Sequence, residues 1–113
     1  MAKPEKKKKP IKLSSIDEDI LTVLLGRELY GLEMLDFLNP NRPGIPLTYG
    51  SIYPALNRLE KKGLVESKWG DETTSGARRK YYKVTGLGDR TLSHVQDYRR
   101  SLRFRPGQGL AFG

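Results

Sequence analysis

Two groups of polar and cationic side chains carry the clearest chemistry of this sequence. The first lies on a predicted helix and contains Asn57, Arg58 and Lys61. The second comes later and is the basic-aromatic run 78–83, Arg-Arg-Lys-Tyr-Tyr-Lys. Arginine, lysine and asparagine are the side chains that read base edges or hold phosphates. The two groups therefore predict binding to a nucleic acid.

Catalytic chemistry has few candidate residues. His94 is the only histidine and there is no cysteine, so the common zinc sites are excluded. The sequence contains neither a nucleophile elbow nor a phosphate-binding loop of the G-x-x-x-x-G-K-[ST] kind. A serine-histidine-acid triad stays open, although we expect His94 to be solvated or to lie at a subunit seam. We predict that the chain is not an enzyme and takes neither a metal nor a cofactor.

Charge is distributed unevenly along the 113 residues, which carry a net +8. Residues 1–12 contribute +5, 13–40 contribute −5, 41–83 contribute +5 and 84–113 contribute +3. An acidic N-terminal third beside a basic middle indicates one face that meets a polyanion and another that avoids it. The alternative is a uniformly basic, solvated surface.

Length and composition indicate one small domain without a membrane segment. No apolar run approaches the roughly 18 residues that cross a bilayer. The lysine-rich start lacks the apolar stretch of a secretory signal, and the absence of cysteine agrees with a reducing compartment. We therefore expect a cytoplasmic protein. The run of lysines within residues 1–12 predicts a disordered arm, which either attracts DNA phosphates or is only a solvated tail.

Three helices are predicted in the first half of the chain. Ser15 with Glu18 has the spacing of a capping box, and Gly26 is a plausible stop for this first helix. The second helix is predicted from Tyr30 to Leu38, before a turn-rich segment at 39–44. The third begins near Thr48, which is a good N-cap.

Helical periodicity divides the third helix into two faces. Ile52, Leu56 and Leu59 cluster on one side and predict its core face. Asn57, Arg58 and Lys61 fall on the opposite side. Pro54 lies beyond the first turn and crowds the carbonyl of Gly50, so we expect an irregular first turn rather than a broken helix.

A hairpin and a last helix follow. Residues 64–69 and 78–85 are predicted strands, and the polar loop 70–77 joins them as a wing. Its acids, Asp71 and Glu72, should point away from DNA. The wing cations have an alternative reading as a solvated strand edge that is protected against aggregation. The fold class predicted is mainly α with a small two-stranded antiparallel wing, which is a winged helix-turn-helix.

Thr85 can cap the last helix, whose apolar stripe continues past the body of the domain. We predict that this stripe pairs with a second chain, and the alternative is that it folds back on its own core. The residues of this predicted dimerisation stripe are Leu87, Thr91, Val95, Tyr98 and Leu102. The predicted organisation is an arm at 1–12, a DNA-binding domain at 13–85, a dimerisation helix at 86–104 and a loose tail at 105–113.

Four motifs between about residues 15 and 100 resemble the PadR transcriptional regulators. They are YG at 30–31, GSIYPALxRLExxGL at 50–64, RKYY at 79–82 and TxxG at 85–88. The resemblance implies a winged helix-turn-helix with a C-terminal dimerisation helix, which usually represses palindromic operators. It places DNA contacts on Ser51, Tyr53 and their third-helix neighbours, and on the wing. Only one helix follows the wing, which puts an effector pocket in doubt.

The residues and the resemblance together predict a homodimeric repressor that binds double-stranded DNA. We expect Asn57 and Arg58 to contact base edges, while Gly50 permits close backbone approach. The full set of predicted DNA-binding residues is Thr48, Tyr49, Gly50, Ser51, Tyr53, Asn57, Arg58, Lys61, Arg78, Arg79 and Lys80. Similarity of the arm and wing to cyanobacterial members suggests a circadian-clock gene as a target. The alternatives are a protein-interaction adaptor and a non-specific nucleic-acid binder.

Overall fold

The computed structural model describes residues 11–71 and 78–103. Outside the described residues lie the predicted arm up to residue 10, the loop segment 72–77 and the tail from residue 104. The prediction for Glu72 therefore falls outside them as well. The elements, in chain order, are α1 (Ser15–Val23), β1 (Leu29–Tyr30), α2 (Gly31–Leu38), α3 (Tyr49–Lys61), β2 (Val65–Trp69), β3 (Lys80–Val84) and α4 (Gly86–Arg103). The mainly helical fold with a small antiparallel sheet confirms the predicted winged helix-turn-helix.

Helix α1 begins one residue earlier than predicted. Ser14, not Ser15, is the N-cap: its hydroxyl accepts from the backbone N–H of Asp17 at 3.2 Å, and the Asp17 carboxylate accepts from the Ser14 N–H at 3.0 Å. The predicted Ser15 and Glu18 box is therefore wrong. Two adjacent serines each face an acid three residues later, and Asp17 is the one that the fold buries.

Helix α3 begins as predicted, because Thr48 and Ser51 cap each other. The Thr48 hydroxyl accepts from the Ser51 N–H at 3.2 Å, and the Ser51 hydroxyl accepts from the Thr48 N–H at 2.8 Å. The helix continues without a break through Pro54. It ends before Gly63, which adopts a positive φ of 78° that favours glycine.

The sheet has three strands rather than the predicted two. Strand β3 lies in the centre and pairs antiparallel with both neighbours. On one side β2 forms the predicted hairpin, with Ser67 opposite Tyr82. On the other side the two-residue strand β1 places Leu29 opposite Tyr82. A two-residue strand shows no periodicity, so the sequence pattern could not reveal it.

The core lies where α1, α3 and the sheet meet. Ile20, Leu24, Leu56 and Leu59 are fully buried there. Helix α4 joins this core through its first turns, where Leu92 is also buried.

The start of α4 fits closely against the hairpin. The Thr85 hydroxyl accepts from the Gly88 N–H at 3.0 Å, which confirms the predicted cap. A Cβ on Gly88 would collide with the carbonyl oxygen of Leu64, so only glycine fits here. Within residues 11–71 and 78–103, no helix has both the length and the apolar character to cross a membrane.

Candidate nucleic-acid interface

The outer face of the second half of α3 is polar because the aliphatic residues of the helix point inward. Ile52, Leu56 and Leu59 are buried, whereas Asn57 and Lys61 are exposed. Neither Asn57 nor Lys61 makes a hydrogen bond or an ion pair with another side chain in the described part of the chain. These two side chains are therefore available to a ligand.

Arg58 differs from its neighbours because it already has a partner. Its guanidinium lies 3.0 Å from the carboxylate of Asp17, whose residue is only 2% exposed. The Arg58 side chain itself remains about half exposed. The Asp17 carboxylate thus joins the start of α1 to α3 while also closing the α1 cap. Sequence reasoning missed this contact, which spans 41 positions.

Two tyrosines flank the start of α3. The rings of Tyr49 and Tyr53 lie 5.5 Å apart between centroids, and both are partly exposed. A Cβ on Gly31 would collide with the Tyr49 ring, so the first residue of α2 must be small. The start of α2 therefore supports the ring of Tyr49 in its place.

The wing cations are held in three different ways. The guanidinium of Arg79 lies 4.7 Å from the centre of the Tyr30 ring. Arg78 Nε donates to the Gly70 carbonyl oxygen at 3.1 Å. Lys80 Nζ lies 3.8 Å from Glu60 Oε1 on α3. The last contact ties the wing strand to the third helix.

Glu60 has a second contact that strengthens this tie. Its other carboxylate oxygen accepts from the hydroxyl of Ser67 on β2 at 2.6 Å. Beneath it, Tyr82 is buried in the core and its hydroxyl has no partner in the described part of the chain. Burial, with smaller effects from Tyr53 and Glu60, raises the pKa of Tyr82 to about 12. Tyr82 is therefore a neutral phenol at physiological pH.

An open groove lies between the start of α3 and the wing and has a volume of about 470 Å³. It brings Tyr49 and Tyr53 together with the wing cations, whereas the predicted contacts Asn57, Arg58 and Lys61 do not line it. We call it the aromatic–cationic groove, and it is lined by Tyr30, Gly31, Leu32, Tyr49, Tyr53, Trp69, Arg78, Arg79 and Lys80.

Trp69 is one of four groove residues that were not among the predicted DNA-binding residues, the others being Tyr30, Gly31 and Leu32. It lies at the end of β2 and is 56% exposed. Lys80 Nζ lies 5.7 Å and the Arg78 guanidinium 5.9 Å from its ring centre. The signal that could have found it is the lone tryptophan at a predicted strand end, close in the sheet to the run of cations.

The predicted dimerisation stripe on α4 divides into two parts. Thr91 and Val95 are partly buried against the domain. Tyr98 and Leu102, nearer the end of the helix, are 61% and 54% exposed, and Leu87 is also exposed. Apart from Leu87, the stripe therefore packs against its own domain in the first half of the helix and is exposed in the second half.

Comparison with known proteins gives a family match over most of the chain. A family model described as "Transcriptional regulator PadR-like family" matches residues 20–94. A curated protein of Lysinibacillus sphaericus, described as "Uncharacterized protein X", is 33% identical over 81 residues, which are 71% of this chain and 73% of that protein.

Solved structures give a consistent result. A PadR family transcription regulator from hypervirulent Clostridium difficile R20291 is 32% identical with a TM-score of 0.71, and the match covers 80% of this chain and 92% of that one. A PadR family transcriptional regulator from Eggerthella lenta DSM 2243 is 29% identical with a TM-score of 0.68, covering 88% and 84%. Both similarities extend over the described fold rather than one element.

Proposed function

Because the chain belongs to the PadR-like family of transcriptional regulators, we propose that it is a homodimeric, sequence-specific DNA-binding repressor of a palindromic operator. Family membership supports DNA binding and transcription regulation. Repression, pairing of two chains and a two-fold symmetric site are the finer parts of this proposal.

The observation that carries the proposal is that the start of α3 and the wing strands border one groove, which is aromatic on the α3 side and cationic on the wing side. Arg78, Arg79 and Lys80 line one side, and Tyr49 and Tyr53 of α3 line the other. A helix placed in the major groove of DNA brings the adjoining strands near the backbone phosphates. Arginine and lysine at that distance bind phosphate through charge, independently of sequence.

Recognition of the DNA base sequence is assigned to the exposed face of α3. Asn57 can bond two positions of an adenine edge, and Arg58 two positions of a guanine edge. Since Arg58 is held by Asp17, its side chain is restricted before DNA arrives, which reduces the entropy lost on binding. Lys61 is one turn further along and is assigned to a phosphate.

The first turn of α3 is assigned to the DNA backbone. Thr48, Tyr49, Gly50, Ser51 and Tyr53 are exposed there. The positive end of the helix dipole and its free N–H groups suit a phosphate. The Thr48 and Ser51 hydroxyls are already bonded to each other's N–H groups, so their contribution is to hold this turn in place.

Pairing of two chains is assigned to the exposed half of α4. Tyr98 and Leu102 are large apolar side chains that the described part of this chain does not cover. A second copy related by two-fold symmetry would cover both sets at once. It would also present two α3 helices to half-sites about one helical turn apart.

Selection of sheared host genomic DNA by the purified protein, at about 0.15 M salt, tests the proposal. We expect enrichment of a two-fold symmetric site upstream of a regulated gene. The similarity to cyanobacterial members makes a circadian-clock gene one candidate target, and the selected sequences test it directly. Retention of all fragments equally, lost as salt rises, would instead support the non-specific binder.

A further inference from the structure

Trp69 is a large apolar side chain in an exposed position between cations. The chain has one tryptophan, and it lies on β2 directly opposite Lys80 of β3. More than half of its surface faces solvent, although burial of an indole ring in a core would stabilise the fold. Its position therefore calls for an explanation other than packing within this domain.

The ring organises the cations around it. Lys80 Nζ lies 5.7 Å and the Arg78 guanidinium 5.9 Å from its centre, both within the range of cation–π attraction. Arg78 and Lys80 carry like charges, which repel each other. The attraction of each cation to the Trp69 ring offsets part of this repulsion, so both can lie near one anionic group.

The position of Lys80 is also fixed from the side of α3. Its ammonium lies 3.8 Å from Glu60, whose carboxylate also accepts from Ser67. The Lys80 side chain is 26% exposed and lines the aromatic–cationic groove. Trp69, Lys80 and Glu60 thus connect the wing to α3 beside the groove.

We propose that Trp69 contacts the DNA backbone and positions Arg78 and Lys80 toward the same phosphates. The indole face would pack on a deoxyribose, while its N–H group is a donor suited to a phosphate oxygen. This inference rests on the proposed function. It adds a contact residue that reads no base, so it strengthens binding to every sequence equally.

The test uses the intrinsic fluorescence of Trp69, which reports this one site because the chain has no other tryptophan. The full chain is titrated with a random-sequence duplex at about 50 mM salt, where sequence-independent binding is measurable. We expect a saturable change of Trp69 emission that follows the binding curve measured from labelled DNA. An emission that stays constant while the DNA binds would overturn the inference alone, whereas no DNA binding would count against the proposed function.

Two substitutions separate contact from positioning. We expect Trp69→Ala to weaken binding to random duplex about tenfold. The salt dependence of the DNA affinity should also fall, because Arg78 and Lys80 are no longer aligned toward the phosphates. Trp69→Phe keeps an aromatic face and should recover most of the affinity and the salt dependence. If the phenylalanine variant binds as weakly as the alanine variant while both unfold at the wild-type temperature, the positioning role is wrong.

Phe37 provides a matched control. It is 50% exposed on α2, and the Arg27 guanidinium lies 4.4 Å from its ring centre, so it reproduces the exposure and the stacked cation of Trp69. It does not line the aromatic–cationic groove. Phe37→Ala should bind DNA like the wild type. An equal loss in Phe37→Ala and Trp69→Ala would show that any exposed ring has the same effect, which contradicts the proposal.

Discussion

Helices α3 and α4 are both amphipathic, but they use their apolar faces differently. The core residues Ile52, Leu56 and Leu59 of α3 are completely buried, so the exposed face of its second half is polar, and only Tyr49 and Tyr53 near its start are partly exposed aromatic residues. Helix α4 buries Leu92 yet exposes Tyr98 and Leu102. A helix whose apolar side is buried in the core presents polar groups to a ligand. A helix that leaves apolar groups exposed presents those groups to another protein surface. This difference supports the proposal that α3 binds DNA and that α4 pairs with a second chain.

The largest effect should come from placing charge on the α4 stripe. Tyr98→Asp with Leu102→Asp would put two carboxylates into the proposed interface between chains, which costs more than the interface gains. We expect a monomer by sedimentation velocity and DNA affinity lower by on the order of 100-fold, because two linked half-sites no longer bind together.

A double variant of exposed polar positions on the same helix, Ser93→Asp with Gln96→Asp, controls for added charge. Both side chains are exposed on α4 and lie outside the predicted stripe. This control should sediment as the wild type does. A wild type that sediments as a monomer, or a Tyr98 and Leu102 variant that stays dimeric, would contradict the assignment of α4.

The next effect should come from Asp17, which holds α1 against α3. Asp17→Ala removes the carboxylate that accepts from the Ser14 N–H and that pairs with Arg58, so we expect about 2 kcal/mol lower stability by chemical denaturation. Arg58 is half exposed and can turn to water, which keeps the loss below that of a fully buried pair. Asp36→Ala, an exposed acid on α2, is the control and should change stability little.

A smaller effect is expected at Arg79, which stacks on Tyr30 in the aromatic–cationic groove. Arg79→Ala should weaken all DNA sequences similarly and flatten the dependence of log affinity on log salt by about one unit. Lys83→Ala is the matched control, because it removes a neighbouring cation that pairs with Glu66 and does not line the groove. Equal salt dependence in wild type and Arg79→Ala would remove the wing from the interface.

The smallest effect should come from the two helix caps, and it sharpens the comparison. Thr48→Ala and Thr85→Ala each remove one hydroxyl that accepts a backbone N–H, which costs about 1 kcal/mol of stability. Only Thr48→Ala should also reduce DNA affinity in gel-shift titrations, since it loosens the first turn of α3. A similar loss of affinity in Thr85→Ala would mean that stability alone controls binding.

Local patterns were enough to predict much of this fold. The Thr48 cap, the faces of α3 and the hairpin all depend on residues a few positions apart, and such spacing is visible in a sequence. The position of the α1 cap was wrong by one residue because Ser14 and Ser15 present nearly the same pattern.

Contacts between distant parts of the chain were not predictable in this way. Strand β1 is defined only by its pairing with β3, and the ion pair of Asp17 with Arg58 joins residues 41 positions apart. Leu92, which the structure buries, was not in the predicted stripe because that stripe followed the helical spacing from Leu87 to Leu102, whereas the core contacts the adjacent face of α4. Trp69 was missed because the prediction of its strand did not reveal which face of the sheet carries the cations.

The most direct test of the whole account is a hydroxyl-radical footprint of the protein on a site selected from genomic DNA. If α3 and the wing contact DNA while α4 pairs two chains, two protected backbone patches should appear, related by two-fold symmetry and about one helical turn apart. Arg79→Ala should lose part of the protection in both patches. A single unsymmetrical patch, or a footprint that Arg79→Ala leaves unchanged, would contradict the account.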